Sequence, residues 1–269
     1  VIYGVSNFKT HTKLLLIVKK EENRVTRYVH LGSGNYNEET SRIYTDIGLL
    51  TTNETLANDV SEFFNVITGH SAPTSYKNLI TSPRDMRNNL IEFIEIESEN
   101  ARKGLPSGIF IKINSLEDSE FIHALYGASQ AGVPVKLIVR GICCLRPGRI
   151  GLSENIEVIS IVGDFLEHSR IYHFHNNGDP RIYVGSADAM VRSFDKRLES
   201  LFKVENEFLQ KQLMNILRYN LLDNVNAYVM QEDGKYIGKD PKEGEEIFNI
   251  HQRFFELEPT MIENVKLID

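Results

Sequence analysis

Cysteine is nearly absent. The 269 residues hold two, Cys143 and Cys144, side by side. Neighbouring cysteines rarely meet disulfide geometry, so a covalent scaffold is not available. They read as small buried hydrophobes of a chain kept in a reducing cytoplasm. Long apolar runs are missing too. No stretch approaches the roughly 20 residues of a membrane-spanning helix, and no basic-then-apolar leader with a small-residue cleavage site is visible. Positive charge is in short supply: 30 Lys and Arg stand against 37 Asp and Glu, a formal net charge of −7. That balance argues against a surface coated for nucleic acid, but not against a local cluster of cations that captures a polyanion in a cleft. Also missing are a glycine-rich loop followed by Lys-Ser or Lys-Thr, a Cys/His spacing suited to zinc, and a local Ser-His-Asp motif.

What remains is an ordinary globular composition, 41% hydrophobic and 25% charged, long enough for one large domain or two smaller ones. The chain opens on Val1 and enters a strand-like stretch at once, and reads as a piece of a longer protein. Residues 1–5 and 14–18 read as buried strands, and a charged hairpin from Lys19 to Arg24 leads to a strand from Val25 to Leu31. Asn53 is placed to cap a helix running to about Thr68, with Leu56, Val60, Phe63, Phe64 and Ile67 on one face. Residues 69–82, with Gly69, Pro73 and several Ser and Thr, form the best linker. Ser82 then caps a helix with Pro83 at its first position, stopped by Gly104. Beyond it, strands at 108–113, 135–139 and 156–162 alternate with a helix at 117–131, and a hairpin pairs 171–174 with 181–184. Near-continuous apolar strands between helices predict an α/β sheet covered on both faces. A helix follows from Asn206 to Leu222, and a charged tail from Lys235.

The chemistry concentrates in two similar stretches. Lys9-Thr10-His11-Thr12-Lys13 precedes an apolar run and is followed by Gly32-Ser33-Gly34-Asn35. Glu167-His168-Ser169-Arg170 precedes a strand and is followed by Gly185-Ser186-Ala187-Asp188. Residues i and i+2 of a strand share a face, which would set His11 beside Lys13. A lone histidine in a strand is more often a hydrogen-bonded structural residue, and His168 alone reads equally well as a surface residue. The repetition shifts both towards function, because histidine is a competent nucleophile towards phosphorus and a nearby cation offsets the phosphate charge. Arg140 ends an apolar strand before Gly141, where it either grips phosphate or forms a salt bridge with a helix carboxylate. Tyr36 and Tyr44 flank the Gly-Asn loop as stacking or core aromatics. His30, His70, His123, His173, His175 and His251 have no such context and read as structural or exposed.

Lys9-Thr10-His11, the stretch Tyr28 to Asn37, Tyr44 to Leu49, Ile138 to Gly148 and Ser160 to Tyr172 closely resemble polyphosphate kinase, and the match runs from Val1 to about Tyr236. The paired units are similar to the phospholipase D fold. The resemblance implies an α/β protein of two phospholipase D-like domains, mixed sheets flanked by helices. The first, residues 1–78, is partial and carries His11; the second, residues 79–269, carries Arg140 and His168. It implies reversible transfer of the ATP terminal phosphate to polyphosphate with release of ADP. His11 is then the residue phosphorylated, and His168 contacts the nucleotide phosphates and assists proton movement. Tyr44 and Arg140 match nucleotide-contacting positions, and Lys13, Asn35 and Arg170 complete the phosphate cradle. Mg2+ accompanies ATP, its protein ligands expected outside this chain. ATP, ADP and polyphosphate are the expected partners, without nucleic acid, in a homo-oligomeric full-length protein. The alternatives are a phosphodiesterase or nuclease of the phospholipase D type, which Arg170 in place of a second lysine disfavours, and a non-enzymatic polyanion-binding module.

Overall fold

The computed structural model describes residues 4, 5, 7–70, 73 and 75–256. The first three residues of the expected opening strand lie outside that set. Val5 forms only an isolated bridge with Phe8.

The amino-terminal part holds β1 (Lys9–Thr10), β2 (Lys13–Lys20), β3 (Val25–Gly32), β4 (Tyr44–Thr45), β5 (Gly48–Thr51) and the helix α1 (Glu54–Ile67). Strands β2, β3 and β5 make a small antiparallel sheet. Asn53 caps α1 through its side chain, which accepts from the Leu56 amide, and the helix buries Leu56, Val60 and Phe63. The expectation that 14–18 is a fully buried strand fails here. Leu15, Ile17 and Val18 are 42, 53 and 59% exposed, whereas Leu14 and Leu16 pack into the core. The sheet has α1 on one face, so alternate side chains point outward.

The rest of the chain builds the main sheet. Its strands are β6 (Leu79–Ser82), β7 (Ile109–Ile113), β8 (Val135–Val139), β9 (Ile156–Ile161), β11 (Ile171–Phe174), β12 (Arg181–Gly185), β13 (Arg197–Lys203), β14 (Ala227–Met230) and β15 (Tyr236–Gly238), together with β1; the short β10 (Leu166–Glu167) stands outside it and pairs with β4. Its helices are α2 (Met86–Arg102), α3 (Ser119–Gln130), α4 (Val191–Asp195), α5 (Glu207–Leu222) and α6 (Ile250–Glu256). Among the described residues the strand order is β1-β13-β12-β11-β7-β8-β9-β14-β15, with β6 also on β13. The β7-β8-β9 core is parallel and the flanks are mostly antiparallel, a mixed α/β sheet. Leu90, Ile94, Phe121 and Leu125 of α2 and α3 cover one face. Val60 and Phe63 of α1 and Leu213 and Leu217 of α5 cover the other. Double coverage explains the continuous apolar strands: each fully buried Ile or Val contributes roughly 1.5–3 kcal/mol.

Two further expectations need correction. The supposed linker ends in a strand, because Leu79–Ser82 is buried throughout and pairs with β13. Ser82 is therefore not a helix cap. Its hydroxyl donates to the carbonyls of Ser193 (2.7 Å) and Arg197 (2.8 Å), and Asp85 holds the cap position of α2. The helix stops as expected, with Gly104 at φ +70°. Of the cysteines, Cys143 is partly buried and Cys144 exposed. Burial pushes the Cys143 thiol up to about 11, so the buried-hydrophobe reading holds for Cys143 alone.

Candidate active site

Two short parallel pairings join the amino-terminal part to the rest of the chain, and they build the site. β1 lies along β13 with Thr10 opposite Leu198, so the next residues, His11 and Glu199, come together. β10 lies along β4 with Glu167 opposite Thr45, so His168 meets Asp46. In both cases Nδ1 stands 2.8 Å from a carboxylate oxygen: His11 to Glu199 Oε2 and His168 to Asp46 Oδ1. Each histidine is thus anchored by an acid from the other part of the chain.

The two Gly-Ser turns complete the pairs. Ser33 donates to Asp46 Oδ1 at 2.7 Å, and Ser186 donates to Glu199 Oε2, the same oxygens that the histidines use. The serines therefore orient carboxylates, and each turn's glycines let the backbone come close. A Cβ on Gly34 would meet Asp46 at 2.6 Å, and one on Gly185 would meet the Ser200 carbonyl at 2.0 Å.

The cations differ in their freedom. Lys13 is buried and donates back to the His11 carbonyl. Burial lowers its pKa to about 8, against the pull of Glu199 and Asp46 and with the help of Arg170. Arg170 is buried and grips both oxygens of Asp188 at 3.2 Å, while its third nitrogen faces the His168 carbonyl (2.8 Å) and His168 Nε2 (3.1 Å). Burial would raise the Asp188 carboxyl, but Arg170 outweighs it and holds that group below the usual carboxylate range. Arg140 leaves the end of β8 and donates to Asn114 Oδ1, not to a helix carboxylate, and Asn114 in turn donates to the His168 carbonyl at 3.0 Å. The Tyr44 ring stands 4.8 Å from the His168 ring. Asn35 is exposed at the turn mouth, and among the described residues its side chain has no protein partner.

The two imidazoles are not equivalent. The His168 side chain is 9% exposed, and burial, joined by Arg170, pushes its pKa down although Asp46 opposes the shift. His11 is 20% exposed, and its Nε2 has no protein partner among the described residues. With Nδ1–H given to Glu199, the Nε2 lone pair of His11 is open, whereas that of His168 accepts from Arg170.

Behind His168 lies a pocket of about 290 Å³ whose lining includes Tyr44, Asp46, Phe165, Glu167, His251 and Phe254. Asp46, Asp188 and Glu199 did not stand out in the sequence as ligands for these side chains. Asp188 ends the second repeated motif, and Asp46 lies in the Tyr44–Leu49 stretch that carries the family resemblance, so both were within reach. Glu199 was signalled only by an acid set in an otherwise apolar strand. No three His, Cys, Asp or Glu side chains among the described residues converge on a cation position. The carboxylates of the cleft are already committed to His11, His168 and Arg170, so they do not fit as a magnesium cage, and no step below passes through the ion.

The family model described as Polyphosphate kinase C-terminal domain 1 matches residues 1–73, and that of Polyphosphate kinase C-terminal domain 2 matches residues 79–250. The polyphosphate kinase of Thermosynechococcus vestitus is 48% identical over 245 residues, 91% of this chain and 34% of that protein. The polyphosphate kinase of Staphylococcus saprophyticus is 50% identical over 236 residues, 88% of this chain and 33% of the relative. The crystal structure of polyphosphate kinase from Porphyromonas gingivalis matches with a TM-score of 0.89 at 33% identity, covering 98% of this chain and 41% of that one. The chain spans about a third of the length of the curated relatives it matches. No helix among the described residues is long and apolar enough to cross a membrane. From the two matched models and the relatives' identity along most of its length, this chain belongs to the polyphosphate kinase family and corresponds to its two C-terminal domains.

Proposed function

We propose that the chain carries the phosphoryl-transfer centre of an ATP–polyphosphate phosphotransferase, with His11 as the residue that becomes phosphorylated. One observation carries the assignment: His11 is anchored through Nδ1 and keeps Nε2 open, while Nε2 of His168 is covered by Arg170. In the first step the His11 Nε2 lone pair attacks the terminal phosphorus of ATP. The Nε2–P bond forms as the P–O bond to the β-phosphate breaks, and the electron pair leaves with ADP. Glu199 balances the charge that develops on the imidazole ring. In the second step a terminal oxygen of polyphosphate attacks the same phosphorus, the Nε2–P bond breaks, and His11 returns to its starting state.

The cations serve the moving group. Lys13, Arg140 and Arg170 supply positive potential for a phosphoryl group whose charge spreads over its equatorial oxygens. Tyr44 contacts the nucleotide, and Asn35 lends a side-chain amide from the turn. His168, neutral beside Arg170, contacts the nucleotide phosphates and exchanges a proton once a phosphate oxygen draws the Arg170 N–H away.

The test uses the full-length protein that contains this chain. Brief incubation with γ-labelled ATP should leave acid-labile phosphate on His11, transferable to polyphosphate, and His11→Ala should carry none. Label that persists in the mutant removes His11 from the role.

A further inference from the structure

We propose that His251, carried on α6, is a positioning residue that holds the 163–170 segment and thereby sets the His168 side of the cleft. The proposal rests on the phosphotransferase reading for its kinetic consequence, but not for its structural one.

His251 is 2% exposed and uses both ring nitrogens. Nδ1 accepts from the Phe165 amide at 3.3 Å, so Nε2 carries the proton that it gives to Glu167 Oε1 at 2.8 Å. The other carboxylate oxygen of Glu167 pairs with the Lys112 ammonium at 2.9 Å, and Lys112 also donates to the Ser169 hydroxyl at 2.8 Å. Both residues that flank His168 in the chain are therefore fixed by side chains outside their own strand. Burial alone would raise the Glu167 carboxyl, but Lys112 and His251 bring it down to about 2, so it stands ionised and fully engaged.

The strut is itself firmly seated. The Ile250 amide donates to buried Asp223 at 2.8 Å, and Asn249 accepts from Asn226 at 3.0 Å, which ties the start of α6 to the turn after α5. Gly163 lies against the imidazole, where a Cβ would meet His251 Nδ1 at 2.6 Å. A buried group with both hydrogen bonds satisfied, wedged against a glycine and bonded to both Phe165 and Glu167, fixes the geometry of the segment that carries His168.

The experiment compares His251→Ala and His251→Gln in the full-length protein, each alone and combined with His168→Ala. Hydrogen–deuterium exchange of the 163–170 peptide is read beside ATP-dependent polyphosphate synthesis. His251→Ala should speed exchange in that peptide and lower kcat by about 10- to 100-fold with KM for ATP moving far less. Glutamine can donate to Glu167 from its amide, and should restore most of the loss. In the His168→Ala background, His251→Ala should cost nothing further. Unchanged exchange in the 163–170 peptide, or an equal loss of activity with and without His168, would overturn the proposal. A wild-type protein that makes no polyphosphate, with exchange still responding to His251→Ala, would strike the kinase reading and leave the strut standing.

Discussion

His11 Nδ1 lies 2.8 Å from Glu199 Oε2, although 188 positions separate the two residues in the chain. The contact fixes which nitrogen of His11 holds the proton and leaves the other without a protein partner among the described residues. It also arises from strand register alone, one residue past the β1–β13 pairing, so it is set by the backbone before any ligand arrives.

Glu199→Gln tests that dependence. The glutamine amide can turn its NH2 towards Nδ1, which moves the imidazole proton to Nε2 and removes the lone pair from the cleft. Phosphoenzyme formation measured in a single turnover should slow by about 10²-fold or more, with ATP binding little altered. A variant that labels as fast as the wild type would show that Glu199 does not govern the tautomer.

Arg170 and Asp188 form a buried pair that the cleft cannot lose singly. Arg170→Met leaves a carboxylate in the core without its partner and should destabilise the fold by about 3–5 kcal/mol, read from urea unfolding. Adding Asp188→Leu should recover much of that, because the buried charge is then gone. If the double variant is no more stable than the single one, the cost is not that of an orphaned charge.

Lys13 should give the reaction an alkaline limb. Its ammonium, at about 8, loses its proton as pH rises through that value, and the grip on substrate phosphate weakens. KM for ATP should rise above pH 8, and Lys13→Arg should carry the limb to higher pH. The stability effect has the opposite sense. The folded pKa lies below the reference value of 10.5, so burying the charged form costs stability below pH 8, and that cost fades as pH climbs from 8 to 10.5.

Glu167 makes the complementary prediction in acid. Its pKa falls from 4.5 to about 2 on folding, so its contribution is fully present above pH 4.5 and disappears as pH drops towards 2. The amount is on the order of 3 kcal/mol. Glu167→Gln should flatten the fall of unfolding free energy across that interval, and a slope equal to wild type would mean that other carboxylates dominate.

Much of this architecture was legible from residue order. Asn53, the alternation of apolar strand and helix, and the strand at 135–139 carry local signals of capping and burial, and the structure has β8 over those same residues. The exposed face of β2 was not legible, because five successive aliphatic residues hide the fact that the sheet is covered by α1 on one side. Ser82 looked like a cap until β13 claimed its strand. In the site, the histidines and Arg140 announce themselves by repetition and position. Their carboxylate partners do not, since Glu199 and Asp46 acquire meaning only when strands remote in sequence lie side by side. His251 was set aside for the same reason, since its role appears only once α6 is docked.

The exchanged strands carry one last consequence. Because β1 rests on β13 and β10 rests on β4, neither portion of the chain owns a finished histidine–acid couple. Prising the two portions apart by little more than the width of a water molecule would break both couples together, so the two imidazoles stand or fall with a single join.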